Sequence, residues 1–280
     1  LPESTTAFST QHTYEIDPVL NQVRILGHCS EKTLKHLQKH GYIKLSDADI
    51  KRYSRMSREA RLIGGMTKPP YTNTTGRGND TNLQYLEELQ ADSKQLTHPG
   101  KDGEKYSFDI VDRATGTEFT IPHRDFKELP KLIERWVVQV TDDAKRRNIL
   151  DDPKIRRIRL DGHSTQLSIH PNTITEVEEK LIAHDIATNP VAPGLSRQMG
   201  RVGASQKNKA RVAANVFHDQ GHGIPSWGYL KAYMYASGIK GIRDFIPQSG
   251  YEGKSSFELR EGRPWKPEDL PRPLFSTAYF

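Results

Sequence analysis

The sequence holds a single cysteine, Cys29. An intrachain disulfide is therefore excluded, and so is a cysteine-rich zinc site. No apolar run is long enough to span a bilayer. There is no Gly-x-Ser-x-Gly elbow, no Gly-x-x-x-x-Gly-Lys-Ser/Thr loop and no Gly-x-Gly-x-x-Gly turn, so nothing marks a serine nucleophile, a nucleotide-phosphate cradle or a dinucleotide site. Internal repeats and long low-complexity runs are missing as well. Hydrophobic residues reach only 34%, which leaves a lean core and much solvated or partner-facing surface. The first residue is Leu1 rather than methionine, which fits a processed form whose targeting segment lies outside the sequence and fits equally a sequence that starts part-way along the protein.

Positive charge is what the chain does have. Forty-one Lys and Arg face 35 Asp and Glu, a net charge of +6. Such a balance attracts phosphates at long range and releases counterions on contact. The charge falls in clusters. Lys51, Arg52, Arg55, Arg58 and Arg61 recur at near-helical spacing on a helix expected from Ser46 to about Ile63. Arg77 stands between Gly76 and Gly78. Lys145, Arg146 and Arg147 end a helix expected over Pro130–Asn148, and Arg156, Arg157 and Arg159 decorate a strand. These twelve residues are the expected RNA contacts. A solvated basic face, or cations placed to suit a helix dipole, explains the same clusters without RNA.

Periodicity divides the rest. Ser30 caps a helix over Glu31–His40, which Gly41 ends. Leu83, Leu86 and Leu89 fit a short amphipathic helix. Tyr106–Ile110 and Thr117–Ile121 alternate as strands, with Asp112–Gly116 as the hairpin loop. A second hairpin is expected from Ile155–Leu160 and Thr165–Ile169, turned at Asp161-Gly162. A helix over Thr175–Ala187 follows, and then Pro190 and Pro193 break the chain. The tail beyond Ile246 is rich in Pro, Gly and charge, and Trp265 can pin it onto the protein.

The stretch Gly203–Ile246 is the most informative. Gly203-Ala204-Ser205 reads as a small-residue loop before a helix over Lys207–His218, with a second helix at Leu230–Ala236 and a short third one ending at Ile246. Its spacing from Gly203 to Gly221-x-x-Ile224-Pro225 resembles the C-terminal half of an acyl carrier protein. The position of that family's phosphopantetheine-bearing serine falls on Gln206. Asp219-x-Gly221-His222-x-Ile224-Pro225, Leu230 and Arg243-Asp244-Phe245 resemble the pattern of the mitochondrial large-subunit ribosomal protein numbered fifty, a family that keeps the carrier-like fold without the serine.

That resemblance implies an α+β protein: N-terminal helices and two β-hairpins with covering helices, then an acyl-carrier-like helical unit and an extended C-terminal tail. The expected divisions are 1–100, 101–189, 190–248 and 249–280. The implied function is that of a non-enzymatic structural constituent of the large ribosomal subunit in the mitochondrial matrix. Its expected partners are rRNA and neighbouring ribosomal proteins, with no cofactor, metal, membrane or small-molecule substrate. Phe217, Trp227, Tyr229, Tyr233 and Tyr235 are the expected protein interface, because the segment is aromatic and weakly charged. One alternative is an HD-type phosphohydrolase, in which His218 and Asp219 hold a metal that activates water. A second is a true acyl carrier protein modified at Ser205.

Overall fold

The structure is a computed structural model. It describes residues 31–56, 83–149, 153–161, 176–191, 200–220, 225–243 and 253–269, together with Val19 and Leu26. Glu31–Lys39 (α1) and Asp47–Met56 (α2) form the N-terminal pair. Gly41 ends the first turn-out with a φ of 74°. Ser46 and Asp49 cap α2 reciprocally: the Asp49 amide donates to Ser46 Oγ at 3.1 Å and the Ser46 amide to Asp49 Oδ2 at 3.0 Å.

The centre is a sheet. Glu88–Gln95 is a strand (β1), and the short helix expected through Leu83, Leu86 and Leu89 does not form. Leu89 belongs to a period-two pattern with Ala91, and Leu86 takes a left-handed φ of 67°, through which no right-handed helix continues. Tyr106–Asp112 (β2) and Glu118–His123 (β3) make the expected hairpin. A single 3-10 turn, Phe126–Glu128, leads into Leu129–Arg146 (α3). Next come Arg157–Asp161 (β4), Glu176–Ile182 (α4) and Ala187–Val191 (β5).

The strand order is β3-β2-β1-β4-β5. β1, β2 and β3 are antiparallel neighbours, whereas β4 runs parallel to both β1 and β5. This corrects the second hairpin. The crossover through α3 returns the chain parallel to β1, as a helical connection does, and the crossover through α4 repeats it; residues 165–169 lie outside the described residues. Pro190 does not break the chain but sits in β5. That strand is an edge, and so is β3 with Pro122; a proline costs least on an edge, where a ladder donor can be spared.

One face of the sheet is apolar. Leu89, Ala91, Phe108, Ile110, Ile121, Ile158 and Leu160 pack against Leu129, Ile133, Val137, Val140 and Ala144 of α3 and Val177 and Leu181 of α4. The other face is covered by Gly200–Gln220 (α5) and Gly228–Arg243 (α6), which pair with each other. Gly203-Ala204-Ser205 is thus a second turn of helix rather than a loop. Val202 is fully buried against Val111, so the inward stripe begins a turn before Gly203. Likewise α6 is one helix where two were expected, because Ile239 and Ile242 continue its buried side past Gly238.

Ser256–Glu261 (α7) follows α6. Phe257 and Trp265 join Leu34, Leu37, Ile50, Tyr53 and Ile242 in a second core, where Trp265 stacks on Tyr42 with ring centroids 4.9 Å apart. The protein is a mixed α+β fold. The division expected at residue 100 falls in the β1–β2 connection, with strands of one sheet on either side.

Candidate functional site

The sheet face under α5 and α6 is polar, although it is buried. The register places Gln90, Asp92 and Lys94 of β1, Ser107, Asp109 and Val111 of β2, and Glu118 and Thr120 of β3 on this side. Asp109 is wholly buried. It accepts from Lys209 Nζ at 2.7 Å, Tyr233 OH at 2.8 Å, Ser107 Oγ at 3.0 Å and Thr120 Oγ1 at 3.0 Å. Lys209 is equally buried and donates also to Thr120 Oγ1 at 2.8 Å. Glu118 lies 3.9 Å from Lys209 and pairs with Lys240 of α6. Burial, then the Asp109 charge, pushes the Tyr233 phenol well above its ordinary value. The network ties both helices to β2 and β3. Every acceptor of Asp109 is used, so this carboxylate is not free to bind anything else.

Toward β4 the same face opens into an edge. Ala91 pairs with Leu160, so the next positions on these two parallel strands are Asp92 and Asp161. This lies at the carboxyl end of β4 beside β1, the place where open sheets with parallel strands receive ligands. α5 crosses here: Gln206 Nε2 donates to the Asp92 carbonyl at 3.4 Å, and Lys94 Nζ reaches the Gln206 carbonyl at 3.5 Å. Ser205 is 1% exposed and its Oγ has no hydrogen-bond partner among the described residues. Lys94 is lowered below the usual lysine range, chiefly by burial.

Phosphoryl transfer between two metal ions needs several carboxylates converging on one point. Asp92 and Asp161 supply two adjacent strand positions, but α5 offers a serine and a glutamine, Lys94 adds a cation, and Asp109 is spent on Lys209. Among the described residues no three His, Cys, Asp or Glu side chains come together. Among the described residues the donor set thus holds fewer carboxylates than a two-metal centre needs.

The expected site residues are scattered. Lys51 and Arg52 are exposed on α2, whose last turn carries Arg55; Arg58, Arg61 and Arg77 lie outside the described residues. Lys145 and Arg146 are exposed at the end of α3, with Arg146 3.1 Å from Asp143. Arg147 is held by Asp143 at 2.9 Å and by Glu261. Arg156 reaches Glu87 at 3.3 Å but stays largely exposed, Arg157 is exposed, and Arg159 is paired with buried Glu88. Of the expected protein interface, Tyr229 and Tyr233 are 7% and 0% exposed and pack against α5, so the chain's own interior takes them; Phe217, Trp227 and Tyr235 are half-buried. His218 and Asp219 belong to the last turn of α5, and His222 lies outside the described residues. Sequence reasoning missed Asp92, Lys94, Asp109 and Lys209, and it singled out Ser205 only as the modifiable serine of a carrier protein. The alternation Leu89, Ala91 against Gln90, Asp92 was the signal that marked β1. An open groove of about 530 Å³ between α3 and α4, lined by Lys131, Glu134, Arg135, Val138 and Lys180, lies on the other side of the sheet and takes no part in this edge.

The sheet has the order 3-2-1-4-5, with the first three strands antiparallel and the last two parallel to the first. No protein-family model and no curated protein matches the chain. Among solved structures it is similar to a chain in the cryo-EM structure of the simian T-cell lymphotropic virus intasome in complex with PP2A regulatory subunit B56 gamma. The TM-score is 0.50 at 13% identity, over 93% of this chain and 78% of that one. The likeness is one of fold.

Proposed function

We propose that the chain is a polynucleotide-binding protein on an integrase-core-like fold, one that holds nucleic acid without cutting or joining it. The observation that carries this reading is the edge beside Asp92. It occupies the ligand-binding end of the parallel strands, yet α5 meets it with Ser205 and Gln206 and β1 with Lys94. The net charge of +6 and the intasome setting of the similar chain support a nucleic-acid partner.

The test is binding of the purified chain to duplex and single-stranded oligonucleotides over a range of salt, with and without a chelator, alongside a cleavage assay in magnesium or manganese. Binding should weaken steeply with salt and ignore the chelator. Asp92→Asn should tighten it slightly, since a negative charge near phosphates is removed, and Lys94→Gln should weaken it. Metal-dependent cleavage that Asp92→Asn abolishes would overturn the non-catalytic part; absence of binding at low salt would overturn the whole.

A ribosomal role, with rRNA and ribosomal proteins of the mitochondrial matrix as partners, is the second proposal. It rests on the resemblance in Asp219–Phe245 and on the exposed Lys51, Arg52, Lys145 and Arg146. Co-sedimentation of the native protein with large subunits, resistant to nuclease-treated competitor DNA, would favour it over the first.

A further inference from the structure

Beyond the carboxyl end of β1, the connection to β2 meets the start of α6. His98 packs edge-on against Tyr229, with ring centroids 5.6 Å apart, and a Cβ on Gly100 would lie only 2.6 Å from Leu230. The connection is therefore seated firmly on the helix. Trp227 stands at this junction, one residue before α6, and is half-buried, with part of its ring reaching solvent. Two exposed lysines converge on its ring: Lys101 Nζ lies 5.8 Å and Lys231 Nζ 5.3 Å from the centroid. Among the described residues neither lysine is held by a carboxylate. The acids nearby are Asp102, which is exposed, and Glu104, whose carboxylate accepts from the Asp102 amide at 3.1 Å and so closes its own turn.

A partly exposed indole with two ammonium groups over its ring, neither held by a carboxylate among the described residues, has a particular complementarity. A nucleobase that takes the place of an ammonium on the π-face stacks on the indole, and the displaced cation swings to the phosphates beside it. A paired duplex keeps its bases stacked on one another and offers only its phosphates. The platform also lies on the α5–α6 side of the sheet, as the Asp92 edge does. About six residues of strand and connection separate Asp92 from His98, roughly 20 Å at the rise of a β-strand. A strand held at the edge has a second anchor within a few nucleotides.

We propose that Trp227, Lys101 and Lys231 form a base-stacking platform for single-stranded DNA, which extends the Asp92 edge across the end of β1. The proposal rests on the polynucleotide-binding reading given above and adds to it the class of strand and the residues that grip it.

The experiment uses the full chain, an oligothymidylate and a blunt duplex of equal length, with intrinsic tryptophan fluorescence and Kd as readouts. Trp227→Ala should weaken oligothymidylate binding about tenfold or more, from the usual worth of one stacked base, and leave duplex binding within about twofold. Trp227→Phe keeps a ring and the packing, so it should retain most of the affinity while losing the ligand-induced quench. Lys101→Gln with Lys231→Gln should flatten the salt dependence by roughly 0.7 per lysine for a single strand. Unchanged oligothymidylate affinity in both Trp227→Ala and the double lysine variant, with duplex binding intact, overturns the platform and leaves the broader reading standing. Failure of the unaltered chain to bind either nucleic acid overturns the broader reading. A loss confined to an RNA oligomer of the same length overturns the choice of DNA.

Discussion

Lys209→Met tests how the two covering helices are attached. The Lys209 and Asp109 side chains are both 0% exposed and 2.7 Å apart. The lysine also sits 5.4 Å from the Tyr233 ring centroid. Methionine keeps the length and apolar bulk of the stem but removes the charge, leaving Asp109 with three hydroxyl donors and no cation. Removing one partner of a buried pair costs about 3–5 kcal/mol, because the other charge is stranded. In a chain of this size that lowers Tm by about 5–9 °C, at slightly under 2 °C per kcal/mol. Lys240→Met is the control. Its side chain is 25% exposed and Glu118 keeps Lys209 at 3.9 Å, so its loss should cost clearly less than that of Lys209, although the Glu118 side chain is only 1% exposed. The assay is urea unfolding of Lys209→Met, Asp109→Asn and the double variant. Neutralising both partners should recover much of the loss, so the double variant is more stable than the sum of the singles predicts. A cost below about 1 kcal/mol for Lys209→Met, or strict additivity in the cycle, would refute the reasoning.

The remaining predictions concern parts of the fold outside the site. Burial raises the wholly buried Asp112 carboxyl to about 6, more than the hydrogen bonds from Thr115, Leu86 and Ala114 lower it. The folded state then holds this proton more tightly than the unfolded state. The contribution is present below pH about 4 and is lost as pH rises through about 6, a change of roughly 3 kcal/mol. Urea midpoints for the unaltered chain and Asp112→Asn should diverge in that window; parallel curves would refute the raised value. Trp265→Ala removes a 4%-exposed ring stacked on Tyr42 and should cost about 3–5 kcal/mol, read as earlier proteolysis of α1 and α2. Gly100→Ala drives a methyl into Leu230 and Glu104 and should cost about 1–3 kcal/mol in thermal melts; a neutral effect would mean the connection is not seated on α6.

Local patterns were legible where one element decides its own geometry. The β2–β3 hairpin follows from alternation around Asp112–Gly116, and α3 follows from Ile133, Val137 and Val140 at helical spacing. The parallel pairing of β4 was not legible, because β1 and β4 are about 70 residues apart and nothing local records which strand a crossover will reach. Leu83, Leu86 and Leu89 show how a three-residue period can arise by chance across a turn and a strand. The site suffered most. Asp92, Asp109 and Lys209 come from three elements, and each alone reads as an ordinary surface residue. Lysine in particular is almost never wholly buried, so nothing in the run Lys207-Asn208-Lys209 singles out the third residue.

The polar face itself argues for a division of labour within one sheet. An apolar core on the α3–α4 side is enough to hold the strands together. The α5–α6 side gains less from burial, since Asp109, Ser107, Glu118 and Lys209 must all be desolvated there. Their mutual hydrogen bonds offset that cost only in one arrangement, with Lys209 over Asp109 and Tyr233 from α6 closing the other side. A sliding or rotated α5 would leave several of these groups unpaired. The network thus fixes the helix in azimuth and height, and with it the placement of Ser205 and Gln206 against β1. One turn of helix separates Lys209 from these two residues, so the lock stands next to the edge it positions. The edge thus presents a surface whose shape is set from beneath by buried charge, while its own polar groups, Asp92 and Lys94, remain partly open to solvent.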